Sequence, residues 1–323
     1  MTLPTYQEAL EQEILSTQYG EQPTELYEPI RYLMALGGKR IRPALTLIGA
    51  SLWTDQWQSF LKPALAVEVF HNFTLMHDDI MDEAPLRRGQ PTVHQKWNTN
   101  TAILSGDVML VAAYDLLTDV PDAVFKSVIK RFNRTAAEVC EGQQWDMNFA
   151  SLDTVSIEQY TEMIRLKTSV LIGFALELGG MLVQAPTKDV QALYDLGISM
   201  GLGFQLKDDV LDVYGDPEKF GKQVGGDILE NKKTWLMIQA LHRGKNTPAG
   251  AELLHWLTVQ DQPEVKVQEV TRIFTDLGIK DLAEAQVDAY FDQARQGIDQ
   301  LDVPASRKKP LFDLANMLHQ REK

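Results

Sequence analysis

Leu75-Met76-His77-Asp78-Asp79-Ile80-Met81-Asp82 closes a segment that begins at Pro63 and is apolar on nearly every side until His77. Pro63 suits the first turn of a helix and Pro85 stops one. A helix of that span runs roughly 30 Å, enough to cross a whole domain. Asp78 and Asp82, four apart, share one face of it, with Asp79 beside them. Three carboxylates within five residues, at the end of a buried helix, repel one another unless a cation sits between them.

One such cluster is explained as well by a solvated helix end. A second is harder to explain that way. Residues 208–212 read Asp-Asp-Val-Leu-Asp, again after an apolar run (Leu196 to Leu206) and before a stop, Gly215-Asp216-Pro217. Two copies of Asp-Asp-x-x-Asp closing apolar helices fit hard cations with oxygen ligands. Mg²⁺ held by carboxylates keeps waters and takes substrate phosphates as its other ligands.

Composition narrows the classes. Of 323 residues, 44% are hydrophobic, enough for a core, and 31 Lys and Arg stand against 45 Asp and Glu for a net charge of -14. No general basic face for nucleic acid is available, so an anionic substrate must be caught by local cations. Cys140 is alone, which excludes an internal disulfide and points to a reducing compartment. The start, Met1-Thr2-Leu3-Pro4-Thr5-Tyr6, lacks signal-peptide regions, and the longest apolar stretch, Ser169 to Val183, is broken by Glu177 and three glycines. A cytoplasmic protein without a transmembrane segment is expected.

Helical periodicity dominates, with no convincing run of strand alternation. Helices are predicted over 5–19, 24–36, 99–118, 121–145, 156–184 and from Val190 to the second acidic cluster, with amphipathic helices beyond 243. Between the second and third helices lies Gly37-Gly38-Lys39-Arg40-Ile41-Arg42-Pro43, a flexible turn with three cations, suited to cradling an anion at a helix start. The segment from Glu83 to Thr92 reads as a loop that puts Arg87 and Arg88 just beyond Asp82, and the arginine fork suits bidentate phosphate contacts. The helix at 121–145 ends in the unusually polar Glu141-Gly142-Gln143-Gln144-Trp145-Asp146. Lys167 and Thr168 lie on an apolar segment, where a lone lysine is most often a snorkelling side chain. Gly197, Gly201 and Gly203 each cost a helix interior about 1 kcal/mol, which close approach of a neighbour could offset. Residues 215–226 read as a mobile glycine-rich loop carrying Lys219 and Lys222, after which Asp227 to Lys233 opens the next helix. No linker divides the chain, so one all-α domain over 1–323, an antiparallel helical bundle around a central cavity, is the simplest account. There is no nucleophilic triad, P-loop or dinucleotide fingerprint. Apolar helical walls beside cations suit a hydrocarbon diphosphate.

From about residue 30 to 240 the sequence resembles the trans-isoprenyl diphosphate synthases, the polyprenyl synthetase family. Gly-Gly-Lys-Arg-x-Arg-Pro, Asp-Asp-x-x-Asp, Leu-Arg-Arg-Gly-x-Pro and Phe-Gln-x-x-Asp-Asp-x-x-Asp-x-x-Gly-Asp occur in the family's order. The resemblance implies the all-α isoprenoid synthase fold, a homodimer, and Mg²⁺-dependent head-to-tail joining of an allylic diphosphate (dimethylallyl, geranyl or farnesyl) to isopentenyl diphosphate. It implies Asp78, Asp82 and Asp208 as the main Mg²⁺ ligands, supported by Asp79, Asp209 and Asp212. Arg87, Lys167 and Lys232 would contact the allylic diphosphate and Lys222 would close over it. Lys39, Arg42, His71 and Arg88 would hold isopentenyl diphosphate. Thr168, Gln205 and the Lys167 backbone would stabilise the allylic cation.

Phe73 lies five residues before Asp78, roughly 7.5 Å deeper along the helix, where a ring would act as a floor for the growing chain. An ordinary core phenylalanine reads the same. Animal-type farnesyl synthases tend to carry aromatics four and five positions before the motif, whereas position four here is the small Thr74. Bacterial short-chain enzymes often have two extra residues within the first motif, absent here. A C20 product, geranylgeranyl diphosphate, is therefore expected over C15 farnesyl diphosphate. A terpene cyclase has a different second metal motif, and non-catalytic partner subunits lose aspartates or the Gly-Gly-Lys turn. Arg321 and Lys323 either cap the isopentenyl site, as basic tails do in relatives, or form a solvated tail.

Overall fold

The segment from Leu61 to Met81 can be apolar on all sides because other helices surround it: Ala64, Leu65, Ala66, Val67, Val69 and Phe70 are all fully buried. Residues 2–216 and 225–321 are described by a computed structural model. The helices are α1 (Leu3–Ser16), α2 (Thr24–Ala35), α3 (Ile41–Ser51), α4 (Leu61–Met81), α5 (Val93–Lys96), α6 (Thr99–Leu116), α7 (Asp122–Ala150), α8 (Ile157–Ile164), α9 (Val170–Leu182) and α10 (Thr187–Tyr214). They continue with α11 (Gly226–Leu229), α12 (Trp235–Gly244), α13 (Pro248–Thr258), α14 (Pro263–Asp276), α15 (Ile279–Gln300) and α16 (Ala305–His319). The fold is all-α. Among the described residues the only sheet is an antiparallel pair, β1 (Leu86–Arg87) and β2 (Gln90–Pro91), with Leu86 opposite Pro91 and Arg87 opposite Gln90.

The chain forms two compact units. The first comprises residues 1–133, 174–194 and 302–310; the second comprises 134–173, 195–301 and 311–323. In the first unit, α1, α2, α3 and α6 pack on α4. Phe132 meets Phe70 edge-on at 5.1 Å and Phe174 at 5.7 Å, and each such buried ring contributes about 2–3 kcal/mol. In the second unit the glycines of α10 serve close approach. A Cβ on Gly197 would lie 2.7 Å from the Cα of Gly173, and one on Gly201 would lie 2.6 Å from the Cα of Ser169.

Several sequence expectations change in detail. The chain from 85 to 92 is not plain loop but the β1–β2 hairpin, turned by Arg88 and Gly89 at positive φ. Residues 165–169 form a π-helical turn between α8 and α9 rather than continuous α-helix. Asp227 to Lys233 does not open a long helix: one turn ends at Leu229, Asn231 takes a left-handed conformation, and α12 starts at Trp235 behind the Thr234 cap. Ser169 to Val183 is almost wholly buried in protein. Among the described residues the one helix long and apolar enough to cross a membrane by length and composition is instead Thr99–Asp119, and a third of its most apolar stretch is buried.

Candidate active site

In the first unit, the apolar length of α4 delivers its acidic end to the surface. Asp82 is the exposed C-cap residue, its N–H donating to the Asp78 carbonyl at 2.8 Å. Asp78 is half-buried, whereas Asp79 points inward at 3% exposure. Both Asp79 oxygens accept from Arg87, Oδ2 from Nε at 2.8 Å and Oδ1 from Nη2 at 2.7 Å. The hairpin brings Arg87 back to the helix end, secured by the Ala84 N–H on the Asp79 carbonyl (3.0 Å) and the Thr92 hydroxyl on the Ala84 carbonyl (2.7 Å). Such bidentate, charge-assisted pairing is rigid as well as strong.

The turn before α3 sorts its three cations. Arg40, at φ 46°, is buried and donates to Glu68 (2.7 Å), Glu11 (2.8 Å) and the Met34 carbonyl (2.7 Å), so it anchors the turn rather than facing an anion. Lys39 stays exposed. Arg42 donates from Nη1 to His71 Nε2 at 3.2 Å, and burial pushes its guanidinium down to about 10. Burial, then the charges of Arg42, Arg88, Arg87 and Arg40, hold His71 well below its ordinary 6.5, so its ring is neutral. Arg88 donates to the Gly37 carbonyl and lies on Gly38, where a Cβ would stand 2.9 Å from its Nη2. The first unit thus gathers Arg42, His71 and Arg88 beside Arg87. Sequence reasoning missed the Glu68 anchor, since a glutamate inside an apolar helix gives no hint of its partner.

Phe73 is 9% exposed, 4.8 Å from the His77 ring and 5.6 Å from Phe70. Thr74 returns its hydroxyl to the His71 carbonyl at 2.8 Å.

The second unit carries the other half of the expected set. The π turn places Lys167 and Thr168 side by side, and π turns recur at functional sites. Gly142 lets α7 approach them: a Cβ there would lie 2.2 Å from the Lys167 amide nitrogen. Lys167 Nζ pairs with Asp146 at 2.5 Å, which gives the polar end of α7 a purpose the sequence did not disclose. The Thr168 hydroxyl donates to Gln205 Oε1 (3.2 Å), Gln205 Nε2 donates to Asp209 Oδ1 (3.3 Å), and the Tyr160 hydroxyl donates to Asp209 Oδ2. Asp209 is 5% exposed; burial, then the charge of Asp227, push its carboxyl upward, while the bonds from Tyr160 and Gln205 pull it back.

Asp208 is half-buried and faces Arg321 at 3.0 Å, whose guanidinium lies over the Phe204 ring. Arg321 thus pairs with the second acidic motif, and Lys323 lies outside the described residues. Asp212 accepts the Asp227 N–H at 3.0 Å and so holds the start of α11. Lys232 Nζ lies 3.6 Å from Asp227. Buried Lys266, also missed, donates to Asn231 Oδ1 at 2.8 Å and to the Val259 carbonyl at 3.2 Å, fixing the turn before Lys232. Lys222 lies outside the described residues.

Among the described residues no three carboxylate, imidazole or thiolate groups converge into a protein-only cage for a metal. What each motif offers is half-exposed or exposed oxygen donors at a helix end. That donor set fits a hard cation completed by water and phosphate, not a buried zinc-type site.

Residues 23–276 match the sequence model of the family described as Polyprenyl synthetase, a span beyond the 30–240 legible from motifs. The chain belongs to that family, and within it to the trans-isoprenyl diphosphate synthases. It is 37% identical over 307 residues to a geranylgeranyl diphosphate synthase of Methanosarcina mazei, covering 93% of this chain and 91% of the relative. A geranylfarnesyl diphosphate synthase of Natronomonas pharaonis is 33% identical, covering 93% and 91%. A solved structure described as a geranylgeranyl pyrophosphate synthase covers 100% of both chains at 42% identity and a TM-score of 0.95.

Proposed function

We propose that the protein is a Mg²⁺-dependent prenyltransferase that joins isopentenyl diphosphate head to tail to an allylic diphosphate, with geranylgeranyl diphosphate (C20) as product. The observation that carries this reading is the line Thr168–Gln205–Asp209 beside Lys167: acceptor oxygens next to a cation, ending on the second acidic motif. Mg²⁺ held by Asp78 and Asp82 of the first motif, and by Asp208 of the second, would draw charge onto the leaving diphosphate oxygens. Arg87, Lys167 and Lys232 would add fixed positive charge where that charge builds, and Lys222 would join them. Asp79 serves by holding Arg87, and Asp212 by holding the turn that carries Lys232.

Lys39, Arg42 and Arg88 would bind the diphosphate of isopentenyl diphosphate, and His71, neutral beforehand, would take up a proton as that anion arrives. As the allylic carbon–oxygen bond breaks with its electron pair going to diphosphate, Thr168 and Gln205 oxygens face the cation. The isopentenyl double bond then forms the new carbon–carbon bond, and the departing diphosphate takes the proton that is lost. Exclusion of water matters because water would trap the cation.

The small Thr74 beside Phe73, and relatives named as geranylgeranyl synthases, favour C20 over C15. The geranylfarnesyl relative favours a reading one unit longer as the runner-up. We also infer a homodimer: Leu104 and Val111, seven apart on one face of α6, are 58% and 67% exposed, and a second copy would cover them. Gel filtration of the chain and of Val111→Glu tests this, with a monomeric variant expected and an unchanged elution contradicting it.

The test of function is incubation of purified protein with Mg²⁺, labelled isopentenyl diphosphate and each of dimethylallyl, geranyl and farnesyl diphosphate, followed by phosphatase and analysis of the alcohols. C20 is expected. No elongation from any starter would overturn the enzyme reading.

A further inference from the structure

We infer that Tyr160 is a positioning residue that fixes which way the Gln205 amide points, and through it the charge presented to the allylic cation; this rests on the function proposed above. Tyr160 lies on α8, one turn before the π segment, and is 3% exposed. Its hydroxyl donates to Asp209 Oδ2, a carboxylate that is itself 5% exposed. Asp209 Oδ1 takes the Gln205 Nε2 proton at 3.3 Å, and Gln205 Oε1 faces the Thr168 hydroxyl at 3.2 Å.

An amide side chain is chemically two-faced. One end is a pair of N–H donors with positive partial charge and the other an acceptor oxygen with negative partial charge. Only the orientation with nitrogen toward Asp209 turns the oxygen toward Thr168, where it helps a carbocation; the reverse would aim positive N–H groups at it. Asp209 dictates the choice only while its two oxygens are held in place. Gln205 restrains one oxygen and the Tyr160 phenol restrains the other, so the phenol is a brace. Removal of the hydroxyl leaves a buried carboxylate oxygen without its donor, and the group relieves that by rotating. Sequence gives no sign of this, since Tyr160 sits at an ordinary core position of an amphipathic turn.

The experiment compares two Mg²⁺-loaded inhibitors by calorimetry: an allylic diphosphate analogue carrying an ammonium nitrogen near the reacting carbon, and an allylic thiolodiphosphate whose hydrocarbon part carries no charge. In Tyr160→Phe the preference for the ammonium analogue is expected to fall at least tenfold, with thiolodiphosphate affinity within threefold of the parent. Turnover should fall with KM for both diphosphates nearly unchanged. An unchanged preference, or equal loss of both analogues, would overturn the inference. Should Tyr160→Phe fail to fold, Asp209→Asn enters the same line from its other end and is expected to show the same selective loss. Elongation by the parent enzyme with no change of preference would sink the Tyr160 role alone, whereas absence of elongation by the parent would sink the reading beneath it.

Discussion

The two Asp-Asp-x-x-Asp motifs are copies in sequence and different devices in structure. In both, the second aspartate turns inward, yet Asp79 meets a guanidinium in a bidentate pair while Asp209 meets two neutral donors, a phenol and an amide. The first motif ends its helix with Asp82 in solvent. The second continues, and its Asp212 holds a downstream turn. One motif is stiffened by charge, the other by a relay of neutral hydrogen bonds that reaches Thr168. The same five-residue spacing therefore comes with unequal backing.

The sharpest way to break this comparison is to remove the outward carboxylates. Asp78→Ala and Asp208→Ala should each lower kcat on the order of 10³-fold, since each deletes charge stabilisation of the leaving diphosphate. Steady-state assays at saturating Mg²⁺ check this, and a loss confined to one motif would contradict their shared duty. Next come the inward pair. Asp79→Ala strands a partly buried arginine and should cost about 2–4 kcal/mol of folding stability. Asp209→Ala leaves only neutral donors unpaired and should cost about 1–3 kcal/mol. Denaturant melts of both variants would show whether the order holds.

A smaller effect concerns pH. His71 is held well below 6.5 in the fold but titrates near 6.5 when unfolded. Between those values the unfolded chain binds more protons, so stability must fall as pH drops below about 6.5, by roughly 1 kcal/mol from pH 7 to 5.5. His71→Asn should flatten that limb of the melting profile. Smallest of all, Arg321→Ala should move the Mg²⁺ concentration for half-maximal activity downward about twofold. On the proposed function the Arg321 guanidinium on Asp208 would compete with the cation, and a single ion pair of this kind is worth about 1 kcal/mol.

Helical class was legible because the signal is dense: α4 is apolar over five turns, and Pro63, Pro85 and Gly215 punctuate its copies. The outward aspartates were legible from spacing alone, because i and i+4 fix a shared face. Their backing was not. Asp79 with Arg87 is separated by a hairpin whose two-residue strands are too short to leave an alternating pattern. Asp146 with Lys167, Tyr160 with Asp209 and Lys266 with Asn231 join residues 21 to 49 apart, and one sequence without covariation cannot pair them. The π turn was invisible for a related reason: its Arg-Leu-Lys-Thr-Ser composition is helical, and the glycines that pack closely on it, Gly142 and Gly201, lie far off in the sequence.

On the proposed function Asp78 and Asp208 serve the Mg²⁺–diphosphate, whereas Asp79 and Asp209 hold protein groups. Calorimetric binding of an unreactive allylic thiolodiphosphate, with and without Mg²⁺, to the parent and to Asp78→Asn, Asp79→Asn, Asp208→Asn and Asp209→Asn tests it directly. Asp78→Asn and Asp208→Asn are expected to lose the Mg²⁺-dependent part of the affinity, while Asp79→Asn and Asp209→Asn keep it within about tenfold. Equal loss from all four would contradict the division and make every aspartate a ligand.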